Sequence, residues 1–287
     1  MTGTLAVIDF ADRPAGAAAG FGGAEDPPFG TFHPTPAQAL FIAAAKSAPF
    51  SRSALRQKAA VLSWLRDGPI DTTFRQKKFR LYPTNSSVEA KILLGKSYDR
   101  VEIDFLAGAL SPGATFVDIG AHIGAYAIPL SKHVAPSGRV IAIEPNPAAL
   151  ARLRVNCSIS ESSNVTVVGQ AASDREATLT VTPDARELGK AKVSERDGIA
   201  ITARPLAAIL KNSEVVRVGA LKIDVEGHED KVLPPFFVAM WRDLWPARIV
   251  IEDSSAEWRT DCLALLESKG YRRLRRTRSN VLLERGP

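Results

Sequence analysis

Ala114-Thr115-Phe116-Val117-Asp118-Ile119-Gly120-Ala121-His122-Ile123-Gly124 is the stretch on which the fold turns. It is apolar on both faces until Asp118, then gives way to glycine. A strand buried on both sides of a parallel sheet reads this way. Glycine after it lets the backbone turn sharply and pass close to a neighbour or a ligand.

Working outward, four more segments repeat the pattern: RVIAIEP at 139–145, NVTVVGQ at 164–170, ALKIDVEG at 220–227 and ARIVIED at 247–253. Between and after them lie helix-length pieces: the stretch after Gly124, PAALARLRVN at 147–156, RPLAAIL at 204–210, DKVLPPFFVAMW at 230–241 and AEWRTDCLALLESKG at 256–270. YRRLRRTRSNVLLERG at 271–286 reads as two strands around a turn. The expected class is therefore α/β, a doubly wound, mostly parallel sheet closed by a C-terminal antiparallel hairpin. Before it, PAQALFIAAAKSA at 36–48 opens with Thr35 and Pro36 as N-cap and first-turn residues, and RSALRQKAAVLSWLR at 52–66 is a second helix. FRQKKFRLYPTNSS at 74–87 reads as strand and turn, and a further helix precedes residue 110. Residues 31–110 are expected to form an N-terminal helical cap, and 111–287 the main domain. The Ala-, Gly- and Pro-rich residues 1–30 are expected to be a flexible leader.

Composition sets bounds. The chain has 287 residues, 45% of them hydrophobic and 24% charged, with net charge +6, enough for a substantial core without staples. Cys157 and Cys262 lack metal-like spacing and read as free thiols of a reducing compartment. Asp9 and Asp12 interrupt any signal-like apolar run, and no segment has the length of a membrane span. The expected location is the cytoplasm.

Polar residues gather at the strand ends, where open α/β sheets bind ligands. Asp118, Gly120, His122 and Gly124 form a D-x-G-x-x-x-G turn, whose acid suits a cationic amino group. Glu144 ends the next strand, where an acid can accept hydrogen bonds from two ribose hydroxyls; Asn146 then caps a helix. Gln170 and Ala171 follow the third strand and would flank a base. Together these describe a nucleoside with a charged tail. A dinucleotide would need a G-x-G-x-x-G pyrophosphate turn, which disfavours a nicotinamide oxidoreductase. Lys222, Asp224, Glu226 and His228 form the densest motif, KIDVEGHED. Lys222 and Asp224 share a strand face and can pair, since a buried charge is costly alone. Asp224, Glu226, Glu252 and Asp253 are expected to converge, and such a set, Asp224, Glu252 and Asp253 above all, could hold Mg²⁺ through oxygens; otherwise a carboxylate or His228 could act as general base.

FVDIGAHIGAY, IAIEP, the AASD loop and LKIDVEGHE, in this order, resemble the FkbM family of methyltransferases over residues 75–285. The resemblance implies a seven-stranded Rossmann-like sheet and S-adenosylmethionine as cofactor. It implies that Asp118, Gly120 and Gly124 line the methionine end, that Glu144 holds the ribose, and that the acceptor is a hydroxyl of a sugar, polyketide or other small metabolite. Lys222, Asp224, Glu226 and Glu229 fall in its most recognisable motif. His122 and His228 depart from the commoner Asn and Ala. Two other readings stand beside it. One is a nucleic-acid methyltransferase using RQKKFR at 75–80 and Arg272, Arg273, Arg275, Arg276 and Arg278, whose binding would weaken with salt. The other is a non-catalytic nucleotide-binding module.

Overall fold

The computed structural model describes residues 26–286 apart from 48–51, 183, 185–186, 189–191, 195–197, 214 and 216. Five parallel strands carry the chain through its centre: β3 (Thr115–Ile119), β4 (Arg139–Ile143), β5 (Val165–Val168), β10 (Val218–Ile223) and β11 (Arg248–Glu252). The C-terminal hairpin, β12 (Tyr271–Arg276) and β13 (Asn280–Arg285), completes a seven-stranded sheet of order β12-β13-β11-β10-β3-β4-β5. β13 runs antiparallel to β11 and to β12. The order reverses at β3, so the expected doubly wound sheet is present, and the switch point falls beside Asp118.

Period-2 alternation splits the core in two. Phe116, Ala142, Ala220 and Val250 join one apolar cluster, whereas Val117, Ile119, Ile141, Ile143, Leu221, Ile223, Ile249 and Ile251 join another. α5 (Ala127–Val134) and α6 (Pro147–Ile159) cover the first face, and α7 (Leu206–Asn212), α8 (Glu229–Ala239) and α9 (Cys262–Ser268) cover the second. Two residues beyond each member of the first set stand Asp118, Glu144, Lys222 and Glu252, so strand parity alone puts all four on one face.

That face is shared with the N-terminal elements α1 (Pro36–Ser47), α2 (Arg52–Leu65), β1 (Ile70–Phe74), β2 (Lys77–Leu81), α3 (Ser87–Leu94) and α4 (Arg100–Ala107). Ile42, Leu62, Phe79, Leu81 and Ile103 belong to the same cluster as Phe116 and Leu130, so cap and sheet have one continuous core. Thr35 caps α1 as expected, its Oγ1 accepting the Gln38 amide at 3.2 Å. The end of the expected leader is not loose. Asp71 Oδ2 accepts the amides of Gly30 and Phe32, and buried Arg80 pairs with Asp71 at 2.8 Å and donates to the Pro28 carbonyl. Residues 1–25 lie outside the described residues.

Two expectations need correction. The last helix begins only at Cys262, because Asp261 caps it by accepting the Leu263 and Ala264 amides, and 256–261 form turns instead. Residues 171–205, of which only the AASD loop and a helix start at 204 were expected, build a separate sheet of order β6-β9-β7-β8: β6 (Ala171–Ser173), β7 (Ala177–Thr182), β8 (Lys192–Ser194) and β9 (Ile199–Pro205). Alternation in ATLTVT and IAITARP buries Leu179, Val181, Ile201 and Ala203 on one side; that pattern was the available signal. Both cysteines are free thiols. Among the described residues no helix is long and apolar enough to cross a membrane.

Candidate active site

Asp118 ends β3 fully buried. Its Oδ2 accepts the Ala127 amide at 3.0 Å, which ties the strand to α5. Its Oδ1 lies 3.6 Å from Lys222 Nζ but has no hydrogen-bond partner among the described residues. Burial pushes this carboxyl above the usual range, and the Lys222 ammonium opposes the rise. Lys222 stands directly beside Asp118 in the parallel register. It reaches Asp224 Oδ2 at 3.7 Å, donates to the Gly120 carbonyl at 2.6 Å and sits over the Tyr126 ring at 5.6 Å. Burial works against its charge, yet Asp224, Asp118, Glu144 and Glu252 outweigh that and hold its pKa above the ordinary lysine value. The expected Lys222–Asp224 pair is therefore one half of a bridge; Asp118 is the other.

The two motif glycines serve packing. A Cβ on Gly120 (φ +77°) would lie 1.9 Å from the Asp224 carbonyl oxygen, so glycine is what lets the ends of β3 and β10 meet. A Cβ on Gly124 (φ +88°) would strike Ile128 and Leu153 at 2.6 and 2.8 Å, where α5 and α6 close on the turn. His122 between them has φ +51°, and neither of its buried ring nitrogens has a hydrogen-bond partner among the described residues. Burial lowers its pKa to about 3, so the ring is neutral at physiological pH, one nitrogen a donor and the other an acceptor. Glu144 accepts the His122 amide on Oε2 and the Asn146 amide on Oε1, each at 2.8 Å. Burial raises it to about 7 against those two bonds. Each oxygen keeps a lone pair, which suits a ribose diol.

Asn146 is occupied by the scaffold: its Oδ1 accepts the Ala148 amide at 3.1 Å and its Nδ2 donates to the Leu188 carbonyl at 3.2 Å. Ala171 is buried at the start of β6, and Gln170, half-buried beside it, makes no side-chain hydrogen bond among the described residues.

Past β10 the chain makes a tight turn, with Glu226 at φ +53° and Gly227 at φ +94°. Glu229 staples it, its Oε1 accepting the Val225 amide at 2.9 Å and its Oε2 the Trp258 indole N–H at 2.7 Å. The turn brings carboxylate oxygens of Asp224, Glu226 and Glu252 within 4.8 Å of one another. Desolvation, then the charges of Asp224 and Glu226, lift Glu252 to about 9; desolvation, then Asp224 and Glu229, lift Glu226 to about 7. Like charges this close do not all ionise together. Asp253, expected among the metal ligands, is not in this group: its carboxylate turns to Arg276 Nη2 at 2.6 Å, because successive residues of an extended chain point to opposite faces. Glu226, expected to converge with Asp224 and Glu252, does so. His228 also stands apart, lining a cleft of about 510 Å³ with Asp174, Arg175 and Lys231.

Three residues near the site escaped the sequence reading. Tyr126 donates to Asp99 Oδ2 at 2.8 Å, and Tyr98 lies edge-on to Tyr126 at 6.3 Å, close enough for Asp224 and Asp118 to raise its pKa after burial and Asp99. Tyr126 follows the glycine turn directly and was findable; Tyr98 and Asp99 come from the cap, and no spacing links them to it.

The model of the methyltransferase FkbM domain matches residues 118–273, more than half of the chain. No curated protein sequence matches. Among solved structures, the chain is similar to a methyltransferase FkbM from Methylobacillus flagellatus KT (20% identity, 64% of this chain and 50% of that one, TM-score 0.39). It is also similar to TYW2 of M. jannaschii in complex with AdoMet (16% identity, 76% and 87%, TM-score 0.37). A third is an rRNA methylase from Streptococcus thermophilus (15% identity, 66% and 96%, TM-score 0.39). With Asp118, the glycine turn and the KIDVEG loop all inside the matched stretch, the chain belongs to the FkbM methyltransferase family.

Proposed function

We propose that this methyltransferase moves the methyl group of S-adenosylmethionine to a hydroxyl oxygen of a small-molecule or glycan acceptor. The observation that carries the reading is the carboxylate group of Asp224, Glu226 and Glu252, held beside the Asp118–Lys222 pair at the switch point. The residues present fit the cofactor. Among the described residues Asp118 Oδ1 is buried with Lys222 near it but no hydrogen-bond partner, which suits an α-ammonium group, His122 has two ring nitrogens without hydrogen bonds, and Glu144 has lone pairs left for a diol. Gln170 and the Ala171 backbone would flank the base.

S-adenosylmethionine, when bound, supplies an electrophilic methyl and its own leaving group. What remains for the chain is alignment and a proton. The acceptor oxygen loses its proton as its bond to carbon forms, and an ionised member of the carboxylate group takes it; a group with a pKa near 7, as Glu226 has, is matched to that task at neutral pH. Lys222 holds Asp224 in place and balances its charge. Tyr98 and Tyr126, with the cap elements that carry Tyr98, keep water from the site. Mg²⁺ on the same carboxylates is the competing way of activating the hydroxyl.

Titration calorimetry with S-adenosylmethionine, S-adenosylhomocysteine and NAD, with and without Mg²⁺, tests the reading. The expected result is binding of both sulfur nucleosides on the order of micromolar, none of NAD and no Mg²⁺ dependence, followed by a methoxy product from a hydroxylated acceptor. Folded protein that binds neither nucleoside refutes it. A nucleic-acid acceptor draws on Arg272, Arg275 and Arg278, which are exposed and without ion pairs among the described residues. The other basic tract is spent internally, Arg75 on Asp104, Lys78 on Glu161 and Arg80 on Asp71, which favours the small acceptor.

A further inference from the structure

The cleft of about 510 Å³ that begins at Gly227 is outside the site described so far. One wall is the β6–β7 region, with Asp174 and Arg175; the other is the start of α8, with His228 and Lys231; the loop after β11 closes it with Glu257 and Arg259. It adjoins the carboxylate group: Gly227 follows Glu226 in the turn, and the Glu257 charge is felt at the Glu226 carboxyl.

The lining carries three acids and three bases, but they are not equally committed. Asp230 Oδ2 accepts the Arg259 backbone amide at 2.8 Å. Asp174 pairs with Arg175 at 3.4 Å and accepts the Ser173 hydroxyl at 3.3 Å. The Glu257 side chain is packed against Gly227, where a Cβ would meet its Oε2 at 2.8 Å. The Lys231 ammonium and the Arg259 guanidinium, by contrast, make no ion pair or hydrogen bond among the described residues, although both line the cleft. His228 stands at the N-cap of α8 without a side-chain cap hydrogen bond, so the positive end of that helix also opens here. Burial lowers the His228 pKa, leaving a neutral ring able to hydrogen-bond a hydroxyl.

We infer that this cleft is the acceptor subsite and that its acceptor carries a phosphate group, gripped by Lys231 and Arg259, with a hydroxyl directed at Glu226. The assignment deepens the methyl-transfer reading and rests on it. Lys231 supplies a point charge and Arg259 a planar fork that matches phosphate oxygens.

The test is calorimetry on the full chain saturated with S-adenosylhomocysteine, with glycerol 1-phosphate and glycerol as probes. Glycerol 1-phosphate is expected to bind saturably and glycerol not at all. Lys231→Ala/Arg259→Ala should weaken glycerol 1-phosphate by roughly tenfold or more, with S-adenosylhomocysteine affinity unchanged. Equal binding of both probes, no binding of the phosphate, or an undiminished affinity in the double variant overturns the inference while leaving the cofactor reading intact. Failure of the wild type to bind S-adenosylhomocysteine removes both.

Discussion

Gly120→Ala puts the geometry of the switch point under direct test. The new Cβ would stand 1.9 Å from the Asp224 carbonyl oxygen, about 1.5 Å short of ordinary contact. The atom it meets is backbone, and the adjoining peptide is fixed by the Asp224 amide donating to the Ile119 carbonyl at 3.0 Å. Relief therefore requires β3 and β10 to separate at their ends. Alanine at φ +77° adds about 1 kcal/mol of conformational cost, and an overpacked backbone contact costs about 1–3 kcal/mol more. The expected loss is about 2–4 kcal/mol, or a fall in Tm of roughly 5–15 °C, read by urea and thermal denaturation. Gly270→Ala is the internal control. Gly270 has φ +88° but nothing within 4 Å of its Cβ, so it should show the conformational cost alone. S-adenosylhomocysteine affinity should fall in Gly120→Ala and not in Gly270→Ala, since Lys222 hangs on the Gly120 carbonyl. A Gly120→Ala protein no less stable than Gly270→Ala, with wild-type nucleoside affinity, would refute the reasoning.

Asp224→Asn should leave S-adenosylhomocysteine binding near wild type and cut turnover by roughly 10²–10⁴-fold, as checked by calorimetry and single-turnover assay. Glu252 is raised from 4.5 to about 9 in the folded chain, so between those values the native state holds the proton that the unfolded state has lost, and stability falls as pH rises across that window. Glu252→Gln should accordingly be more stable than wild type at about pH 8 and indistinguishable at about pH 4 in urea melts; the opposite order would show that the three carboxylates are not crowded. Arg80→Ala leaves Asp71 buried without its charge partner and should cost about 3–5 kcal/mol, whereas breaking the exposed Lys78–Glu161 pair should leave the urea midpoint unchanged.

Much of this was legible in the sequence because it depends on near neighbours along the chain. Strands buried on both faces must be apolar on both faces, so FVDIG, VIAI and IVIE announced a parallel sheet, and the parity of Asp118, Glu144, Lys222 and Glu252 placed them on one side of it. The helix caps at Thr35 and Asn146 were readable for the same local reason. Other features come from segments far apart in sequence, whose meeting no spacing encodes. Lys222 bridges Asp118 as well as Asp224 only because register sets β10 beside β3. Asp253 leaves the carboxylate group because successive residues of an extended chain point to opposite faces, and its carboxylate meets Arg276 from the neighbouring hairpin instead. Tyr98 reaches the site from the cap, and the cleft at Lys231 and Arg259 exists only where the β6–β7 region, α8 and the loop after β11 converge. The sequence by itself determined the sheet, its acid-ended strands and the family; the tertiary structure decided which charges are paired inside the fold and which are left facing a cleft, because pairing depends on distances of a few ångströms between residues more than a hundred positions apart.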